Sequence, residues 1–330
     1  MKAYDYIVVG SGSAGSIVPA RLSEDPDVSV LMLEAGRKDD HPFMGMPIAF
    51  PKVATDKRYV WPFETEEEPG LGGRKLAIPR GKTLGGCGSI NAMTNVRGSR
   101  YDFDLWRQRG LEGWGYRDVL PYFKKMENSW RGDSLYHGTG GPVGNAPVDM
   151  PEAYFLQLQQ AAMNAGIPMS PDHHGAQQEG ISRIELTTND GWRASSARAY
   201  LHPAMKARKN LTVLTHAQTT RILFEGKRAV GVEFLRDGKV EQVHADREVV
   251  ICAGTYASPQ LLMLSGIGPA DHLQSGGVKV LQGLPGVGAN LQEHPNLLNI
   301  YRANGKLGLS NHLRLDKATL AVMRWYLFGK

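Results

Sequence analysis

Hydrophobic residues near the start of the chain form two short runs with a helical stretch between them. Residues 6–9 are all apolar, and residues 28–33 are apolar except at Ser29. Continuous apolar runs of this length are typical of strands buried on both faces of a parallel sheet. Residues 14–23 predict a helix with a local distortion at Pro19, because proline lacks a backbone N–H. The pattern therefore predicts a strand–helix–strand unit.

Later in the chain the spacing of apolar residues changes from helical to strand-like. Apolar residues recur at helical spacing in 113–128 and 154–165, which predicts two helices that pack one face into a core. Short strands separated by turns at Gly226 and at Asp237-Gly238 are expected at 212–216, 220–223, 229–235, 240–245 and 248–252. A further helix is expected from Ser258. Together these elements indicate the α/β class.

Three glycines follow the first strand in the order G-x-G-x-x-G. Gly10 allows a tight turn, Gly12 lets the backbone approach a pyrophosphate, and Gly15 lets the helix pack closely on the strand. The phosphates would lie at the N-terminal end of the helix. Glu34 ends the second run 34 − 15 = 19 residues after Gly15, where a carboxylate that binds ribose belongs. This order of features indicates a dinucleotide-binding unit rather than a glycine-rich surface loop.

A second glycine-rich stretch occupies residues 80–98, with the sequence RGKTLGGCGSINAMTNVRG. So many glycines beside small polar residues indicate a backbone that lies against something flat or anionic, and a planar ring system is the natural candidate. Cys87 lies in this stretch, and we interpret it as a small packed cysteine rather than a nucleophile.

Composition narrows the class of protein. With 330 residues, 42% of them hydrophobic, the chain can bury a large core and form two domains or one elaborated domain. The net charge of +5 comes from scattered basic residues, which argues against nucleic-acid binding. His173 and His174 are adjacent and the two cysteines form no CxxC pair, so no metal site is expected.

The ends of the chain bear on its location. The sequence opens without the pattern of a signal peptide, and its last apolar stretch, residues 320–328, is too short to span a bilayer. A cytoplasmic protein is expected, with peripheral membrane association left open.

Several long motifs resemble those of the glucose–methanol–choline (GMC) oxidoreductases, which bind FAD. Beside the G-x-G-x-x-G turn and the stretch at 80–98, they are WRASSARAYL at 192–201, AGTYASPQLLMLSGIGP at 253–269 and GVGANLQEHP at 286–295. The resemblance spans nearly the whole chain. It implies an α/β fold, with a Rossmann-like FAD-binding domain that contains a parallel sheet and a β-meander, plus an incomplete α+β substrate domain.

The resemblance also implies a division into domains. The FAD-binding domain would comprise residues 1–149 and 211–295, and the substrate domain residues 150–210 and 296–330. In this family the meander returns the chain to the parallel sheet. Its last strand would place Ala253 and Gly254 next to the cofactor.

The family's FAD contacts are carried over motif by motif. The pyrophosphate would lie against Gly10, Gly12, Ser13, Ala14 and Gly15. Glu34 would hold the adenosine ribose, with Ala35 beside it in the same motif. The flavin side would be lined by Thr83, Leu84, Gly85, Gly86, Asn91, Ala92, Met93, Thr94 and Val96. Thr219 stands where the family presents a valine backbone to the adenine, and Ile90 replaces the histidine that attaches FAD covalently in some members, so the resemblance implies non-covalent FAD.

The implied reaction is oxidation of the CH–OH group of a small alcohol by hydride transfer to the flavin. A dehydrogenase that uses a quinone or another acceptor is favoured over an oxidase that uses oxygen. The family removes the hydroxyl proton with a histidine in an HPxGT-type motif, assisted by a histidine or asparagine in an NxxAP-type motif. Neither motif occurs in this sequence. We therefore assign no catalytic residue. The N-terminal part of a longer oxidoreductase, inactive alone, is favoured over a natural short form that lacks alcohol oxidation.

His294 is interpreted as structural, because complete members carry the same motif beside their catalytic histidine. Two other functions stay open. One is a non-redox enzyme of the same fold, such as a hydroxynitrile lyase, in which FAD is structural. The other is a non-catalytic FAD-binding protein.

Overall fold

The computed structural model describes residues 3–148, 152–293 and 314–328. The strands in these ranges are β1 (Ala3–Val9), β2 (Val30–Leu33), β3 (Val60–Trp61), β4 (Arg80–Gly81), β5 (Glu127–Ser129), β6 (Val143–Pro147), β7 (Glu185–Leu186), β8 (Thr188–Asn189), β9 (Trp192–Arg193), β10 (Leu211–Leu214), β11 (Gln218–Glu225), β12 (Arg228–Arg236), β13 (Lys239–Ile251), β14 (Ile267–Gly268) and β15 (Gln282–Gly283). The α-helices are α1 (Ile17–Leu22), α2 (Pro42–Gly45), α3 (Phe50–Ala54), α4 (Arg100–Gln108), α5 (Tyr116–Met126), α6 (Glu152–Asn164), α7 (His202–Ala207), α8 (Gly254–Leu264), α9 (Ala270–Ser275) and α10 (Leu315–Phe328).

The chain divides into two compact units. The first comprises Met1–Asn91 and Ser195–Leu297, and the second comprises Ala92–Ala194 and Leu298–Lys330. These bounds differ from the predicted domains, because the second unit begins at Ala92 whereas the predicted substrate domain begins at residue 150. Strands β5, β6 and β7 pair with one another inside the second unit, which explains the early boundary. The assignment of one domain to FAD and one to substrate stays a prediction.

The first unit is built on a six-stranded sheet in the order β10-β2-β1-β13-β12-β11. Strands β10, β2, β1 and β13 are parallel neighbours, whereas β13, β12 and β11 are joined antiparallel. The predicted α/β fold, with a parallel sheet and a β-meander, is confirmed.

Side chains of the central strands alternate between two buried clusters. Ile7 and Leu31 lie in a cluster that also contains Leu261 of α8, and Val8 and Met32 lie in another that contains Ala204 of α7. Both faces of the sheet are therefore covered, which is why β1 and β2 are apolar at nearly every position. Each large apolar side chain buried in this way contributes roughly 1.5–3 kcal/mol to folding.

Strand β13 differs from the prediction of two separate strands. It runs without interruption over 13 residues. Residues 239–244 pair antiparallel with β12, and residues 244–251 pair parallel with β1. Two steps along β1, from Tyr4 to Tyr6, correspond to three along β13, from Ala245 to Glu248, so one extra residue forms a bulge. The bulge that interrupts the register explains why the sequence pattern there resembles a break.

The helices also depart from their predicted bounds. Helix α1 begins at Ile17 rather than at residue 14, and turns occupy the residues between Gly12 and the helix. Pro19 is buried at the third position of α1, where its missing N–H costs least. Helix α8 begins at Gly254, earlier than expected, and α4 was not predicted. The predicted helices at 113–128 and 154–165 correspond to α5 and α6.

The second unit contains short strands and longer helices. Strand β6 pairs parallel with β5 and antiparallel with β7, while β8 and β9 form a separate antiparallel pair. Helix α10 is anchored by Trp325, whose indole N–H donates to the Gly191 carbonyl at 2.9 Å and whose ring centroid lies 4.1 Å from that of Trp192. Within residues 3–148, 152–293 and 314–328, none of the helices combines the length and apolar character needed to cross a bilayer.

Candidate functional site

The carboxyl ends of the parallel strands of the first unit meet at one edge of the sheet. Gly10 donates its N–H to the Leu33 carbonyl at 2.8 Å, and Cys252 donates to the Val9 carbonyl at 2.7 Å. Glu34 donates its N–H to Leu214 at 2.9 Å. In open α/β sheets this edge is where ligands bind. The predicted glycine turn, Glu34 and the segment after β13 are therefore neighbours.

The glycine turn is packed so closely that side chains would not fit. A Cβ on Gly15 would lie 1.8 Å from the Gly10 carbonyl oxygen, and one on Gly10 would lie 2.6 Å from the Cys252 carbonyl oxygen. Gly10 also has φ of +90°, in the left-handed region that favours glycine. At Gly12, by contrast, the nearest heavy atom to an added Cβ is 4.0 Å away. Only Gly12 of the three therefore faces open space.

The second glycine-rich loop lies directly on the first. The Gly85 N–H donates to the Ser11 carbonyl at 2.9 Å. A Cβ on Gly86 would lie 2.7 Å from Gly12 Cα, and one on Gly88 would lie 3.3 Å from Ser13 Oγ. The absence of side chains at these positions lets two backbone segments, more than seventy residues apart in the sequence, come into contact.

Glu34 is buried and held by neighbours. Its Oε2 accepts from the Ser11 N–H at 2.9 Å and the Ser11 hydroxyl at 2.6 Å, and its Oε1 accepts from the Gly36 N–H at 2.8 Å. Burial raises the pKa of the Glu34 carboxyl above its ordinary value, against the opposing effect of these hydrogen bonds and the charge of Lys82. A carboxylate offers about four lone-pair sites, so one on Oε1 is left for a ligand hydroxyl.

The predicted contact residues of the first unit differ in exposure. Ser13, Ala14, Asn91 and Gly254 are exposed, and Gly10, Gly12, Ala35, Thr219 and Ala253 are partly exposed. Gly15, Glu34, Thr83, Leu84, Gly85 and Gly86 are buried. Thr83 is 0% exposed and its hydroxyl donates to the Arg37 carbonyl at 3.0 Å, so it holds the loop and has no surface to offer a ligand.

Ala92, Met93, Thr94 and Val96 belong to the second unit. Met93 is buried with φ of +60°, and its carbonyl accepts from the Thr187 N–H at 2.8 Å. The other three residues are exposed. Their predicted place beside a flavin stays a prediction.

Three further residues bear on the predicted cofactor site. Thr219 begins an irregularity in the pairing of β11 with β12. Within the part of the chain that the structure describes, its buried Oγ1 has no hydrogen-bond partner. Ile90 is buried in an apolar cluster with Met44, Val53, Tyr59 and Val60. His294 lies outside the described residues.

The two cysteines are free. Burial raises the pKa of the Cys252 thiol, which disfavours a reactive thiolate. Cys87 is exposed, and its Sγ accepts from the Gly81 N–H at 3.3 Å. The expectation of a packed cysteine at position 87 is therefore wrong, because Cys87 is exposed on the short helical turn Gly86–Ser89, whose buried residues are Gly86 and Ser89.

A cluster of buried charged side chains lies in the second unit, and we call it the His137 cluster. Arg97 Nη2 is 2.8 Å from Glu127 Oε2. His137 Nδ1 is 3.2 Å from both Glu127 oxygens, and its Nε2 is 2.9 Å from Asp172 Oδ2. His174 Nε2 accepts from the Arg97 N–H at 3.3 Å. The cluster is completed by Arg131, Asn145 and Glu185.

Burial shapes the titration of this cluster. It is the main reason why the pKa of His174 falls from 6.5 to about 3, with the charges of His173 and Arg97 adding to the effect. Burial acts to raise the pKa of Asp172, but the hydrogen bonds from His137 and from the His174 N–H hold it below its ordinary value. His174 is therefore neutral and Asp172 ionised at neutral pH.

Sequence reasoning missed Ser11 and the His137 cluster. For Ser11 a signal existed, because a hydroxyl within the G-x-G turn can reach the carboxylate that ends the next strand. For the cluster there was none: Arg97, Glu127, His137 and Asp172 come from four separate segments, and only their packing reveals the network.

Comparisons with known proteins agree with the geometry of the first unit. A family model described as GMC oxidoreductase matches residues 4–296. An oxygen-dependent choline dehydrogenase of Xanthomonas campestris pv. campestris (strain B100) is 49% identical over 337 residues, covering 99% of this chain and 60% of that protein. The chain thus spans about 60% of the length of this curated relative.

Solved structures show the same architecture. A formate oxidase has a TM-score of 0.90 and 28% identity, covering 100% of this chain and 59% of that one. An FAD-dependent oxidoreductase from Chaetomium thermophilum has a TM-score of 0.79 and 30% identity, covering 86% of this chain and 51% of that one.

Proposed function

This chain belongs to the GMC oxidoreductase family, and from that membership we propose that it forms the FAD site of an enzyme that oxidises the CH–OH group of a small alcohol. Bound FAD would supply the hydride acceptor. The relative's name, oxygen-dependent choline dehydrogenase, makes choline the first alcohol to test. The same name makes oxygen, as well as a quinone, a candidate electron acceptor.

The observation that carries the proposal is the contact between two glycine loops at the carboxyl edge of the sheet. The pyrophosphate would lie in the space at Gly12, beside the exposed residues Ser13 and Ala14, where backbone N–H groups can stabilise its charge. The remaining lone pair of Glu34 would accept a hydroxyl of the adenosine ribose. The residues present thus fit a dinucleotide.

Within this site each group of residues has a distinct task. Ser11 and Gly36 fix the Glu34 carboxylate before a ligand arrives, so that little reorganisation is needed. Gly85 and Gly86 keep the second loop against the first. The unpartnered hydroxyl of Thr219 would give the adenine end a hydrogen-bonding group. The remaining residues predicted from the family motifs are proposed as contacts or supports of the same cofactor: Gly10, Gly15, Ala35, Asn91, Ala92, Met93, Thr94, Val96, Ala253 and Gly254.

Non-covalent binding of FAD is part of the proposal. Ile90, at the position of the attachment histidine in some family members, is an apolar side chain with no nucleophilic atom and is 5% exposed. Denaturing the FAD-loaded protein with acid should therefore release all the yellow colour into the supernatant. Flavin that stays with the precipitate would contradict this part.

The main test is uptake of FAD by the purified chain, and flavin fluorescence and gel filtration measure that uptake. We expect one FAD for each chain, and a loss of affinity of at least tenfold in Gly12→Ala, whose Cβ would occupy the space assigned to the pyrophosphate. A folded chain that takes up no FAD would contradict the proposed site.

The reaction is tested separately on the intact gene product with FAD bound. Adding choline without oxygen should bleach the visible absorbance of the flavin. If none of the alcohols tested reduces the bound FAD, the result would favour one of the two other functions, a non-redox lyase of the same fold or a non-catalytic FAD-binding protein.

A further inference from the structure

The His137 cluster contains a set of metal-ligating atoms that the FAD site does not use. Glu127, His137 and His174 are all buried, and one ligand atom from each lies within 4.8 Å of the other two. They come from β5 and from two loops of the second unit. Two imidazoles and one carboxylate form a donor set found in zinc sites.

The orientation of His137 is typical of a metal ligand. Its Nε2 lies 2.9 Å from Asp172 Oδ2, so Asp172 can fix the ring as a carboxylate partner does in zinc sites. Its Nδ1 lies 3.2 Å from both oxygens of Glu127. That separation is long for a charge-assisted hydrogen bond, which is about 2.7–2.9 Å. It is close to the roughly 3.3 Å between two ligand atoms that share a tetrahedral zinc ion with bonds of about 2.0–2.1 Å.

His174 supplies the second, independent observation. It is 3% exposed, and its buried Nδ1 has no hydrogen-bond partner among the described residues. A buried polar atom without a partner calls for an explanation such as a bound ion. By contrast, both ring nitrogens of the adjacent His173 have partners: the Asn95 carbonyl at 3.0 Å and the Ser182 hydroxyl at 3.2 Å.

The ion pairs of the cluster contain more carboxylates than guanidinium groups. Glu127 pairs with Arg97, while Arg131 is shared by Glu185 and Asp172. A metal ion between Glu127 and the two imidazoles would give this buried carboxylate a further charged partner. The positive charge of Arg97, which lowers the pKa of His174, acts against a cation here, so the arrangement of the ligand atoms carries the site.

Glu127 still has room for such an ion. It accepts from Arg97 Nη2 at 2.8 Å, from Asn145 Nδ2 at 2.6 Å and from the Gly138 N–H at 3.2 Å. These use three of the about four lone-pair sites of a carboxylate.

We propose that Glu127, His137 Nδ1 and His174 Nδ1 bind a divalent transition-metal ion, Zn²⁺ by its donor set, with Asp172 positioning His137. The ion would tie β5 to the loops that carry the two histidines. For His174 to bind through Nδ1, its ring proton must lie on Nε2, so the 3.3 Å contact from the Arg97 N–H is lost. That change gives the proposal a spectroscopic signature.

The test is calorimetric titration of the whole chain with Zn²⁺ after treatment with a chelator, beside a parallel titration with Mg²⁺. We expect one Zn²⁺ for each chain and no saturable binding of Mg²⁺. His174→Ala and Glu127→Gln should weaken Zn²⁺ binding at least tenfold. His173→Ala is the matched control, since it removes the neighbouring buried imidazole, and it should leave Zn²⁺ affinity within twofold.

A folded wild-type chain that binds no Zn²⁺ would overturn the proposal, and so would equal affinity in His174→Ala and His173→Ala. Nitrogen NMR of the histidines gives a readout that needs no variant. On adding Zn²⁺, His137 Nδ1 and His174 Nδ1 should both shift to metal-bound values, with the ring protons on Nε2. An imidazolium at His137, protonated on both nitrogens and unaffected by Zn²⁺, would show that a proton fills the place assigned to the metal.

Discussion

The glycine loops of the first unit and the His137 cluster of the second are built on opposite principles. In the loops, backbone meets backbone: a Cβ on Gly15 would lie 1.8 Å from the Gly10 carbonyl oxygen. In the cluster, side chains form the contacts: Arg97, Glu127 and His137 bind one another through their terminal atoms. One site depends on the absence of side chains, and the other on their charges.

The difference shows which substitutions each region can accept. The glycine loops tolerate no added Cβ where two backbone segments are in contact, but their packing does not depend on side-chain charge. A buried ionic cluster keeps its shape under small changes of volume, but it suffers when one charge loses its partner. Substitutions that add only volume in one region, or remove only a charge in the other, therefore test the comparison.

The largest effect is expected from Gly15→Ala. The added Cβ would lie 1.8 Å from a backbone oxygen that cannot move without displacing β1 and α1. We expect the free energy of unfolding to fall by more than about 4 kcal/mol, the range of severe core disruptions. Chemical denaturation followed by circular dichroism measures it.

Gly12→Ala is the control for this substitution, because among the described residues, apart from its own chain neighbours, the nearest atom to the added Cβ is the Cys252 carbonyl oxygen at 4.0 Å. Stability should change by about 0.5 kcal/mol or less, as at an open surface position. Equal losses in the two variants would mean that glycine is needed for its flexibility rather than for the space it leaves.

A smaller effect is expected from Arg97→Met, which leaves Glu127 buried without its ion-pair partner. The two side chains are 8% and 6% exposed, and breaking a buried pair typically costs about 3–5 kcal/mol. The exposed pair of Arg21 and Glu24 has a shorter distance of 2.6 Å, but its side chains are 47% and 49% exposed. Arg21→Met should therefore cost less than about 1 kcal/mol. A similar cost in both variants, measured by thermal and urea unfolding, would contradict the role given to burial.

The last effect is a pH dependence that arises from His174 and is spread over several pH units, so it is small within any one of them. Its pKa is lowered from 6.5 to about 3 in the folded chain, so the unfolded chain binds a proton that the folded chain does not. Stability should accordingly fall as the pH falls from 6.5 towards 3, by at most about 1.4 kcal/mol per pH unit. Urea unfolding between pH 7 and 4.5, with a chelator present, measures the slope.

His174→Asn should reduce that slope, whereas His173→Asn should keep it. A wild-type chain whose stability does not change over this range would show that the His174 imidazole is hydrated in the folded state.

Much of the first unit was predictable because its signals are local. The apolar runs of β1 and β2 follow from burial on both faces of the sheet, and Gly226 and Gly238 mark the turns of the meander through positive φ. The predicted break in β13 was wrong, because a one-residue bulge inside a paired strand looks the same as a turn in the sequence. Helix α4 was missed, since Ser99, which caps it by accepting from the Tyr101 N–H, was not read as a start signal.

Local patterns in the amino-acid sequence are enough to predict the glycine turn after β1 and the burial of β1 and β2. Those properties depend on neighbouring residues, on the period of their apolar side chains and on the lack of a Cβ. Tertiary packing brings Ser11 to Glu34, encloses Thr83, and gathers Glu127, His137 and His174. Hydrogen bonds and short ion pairs act over a few ångströms, so these contacts form only after folding has brought distant segments together. No local pattern in the sequence indicates them.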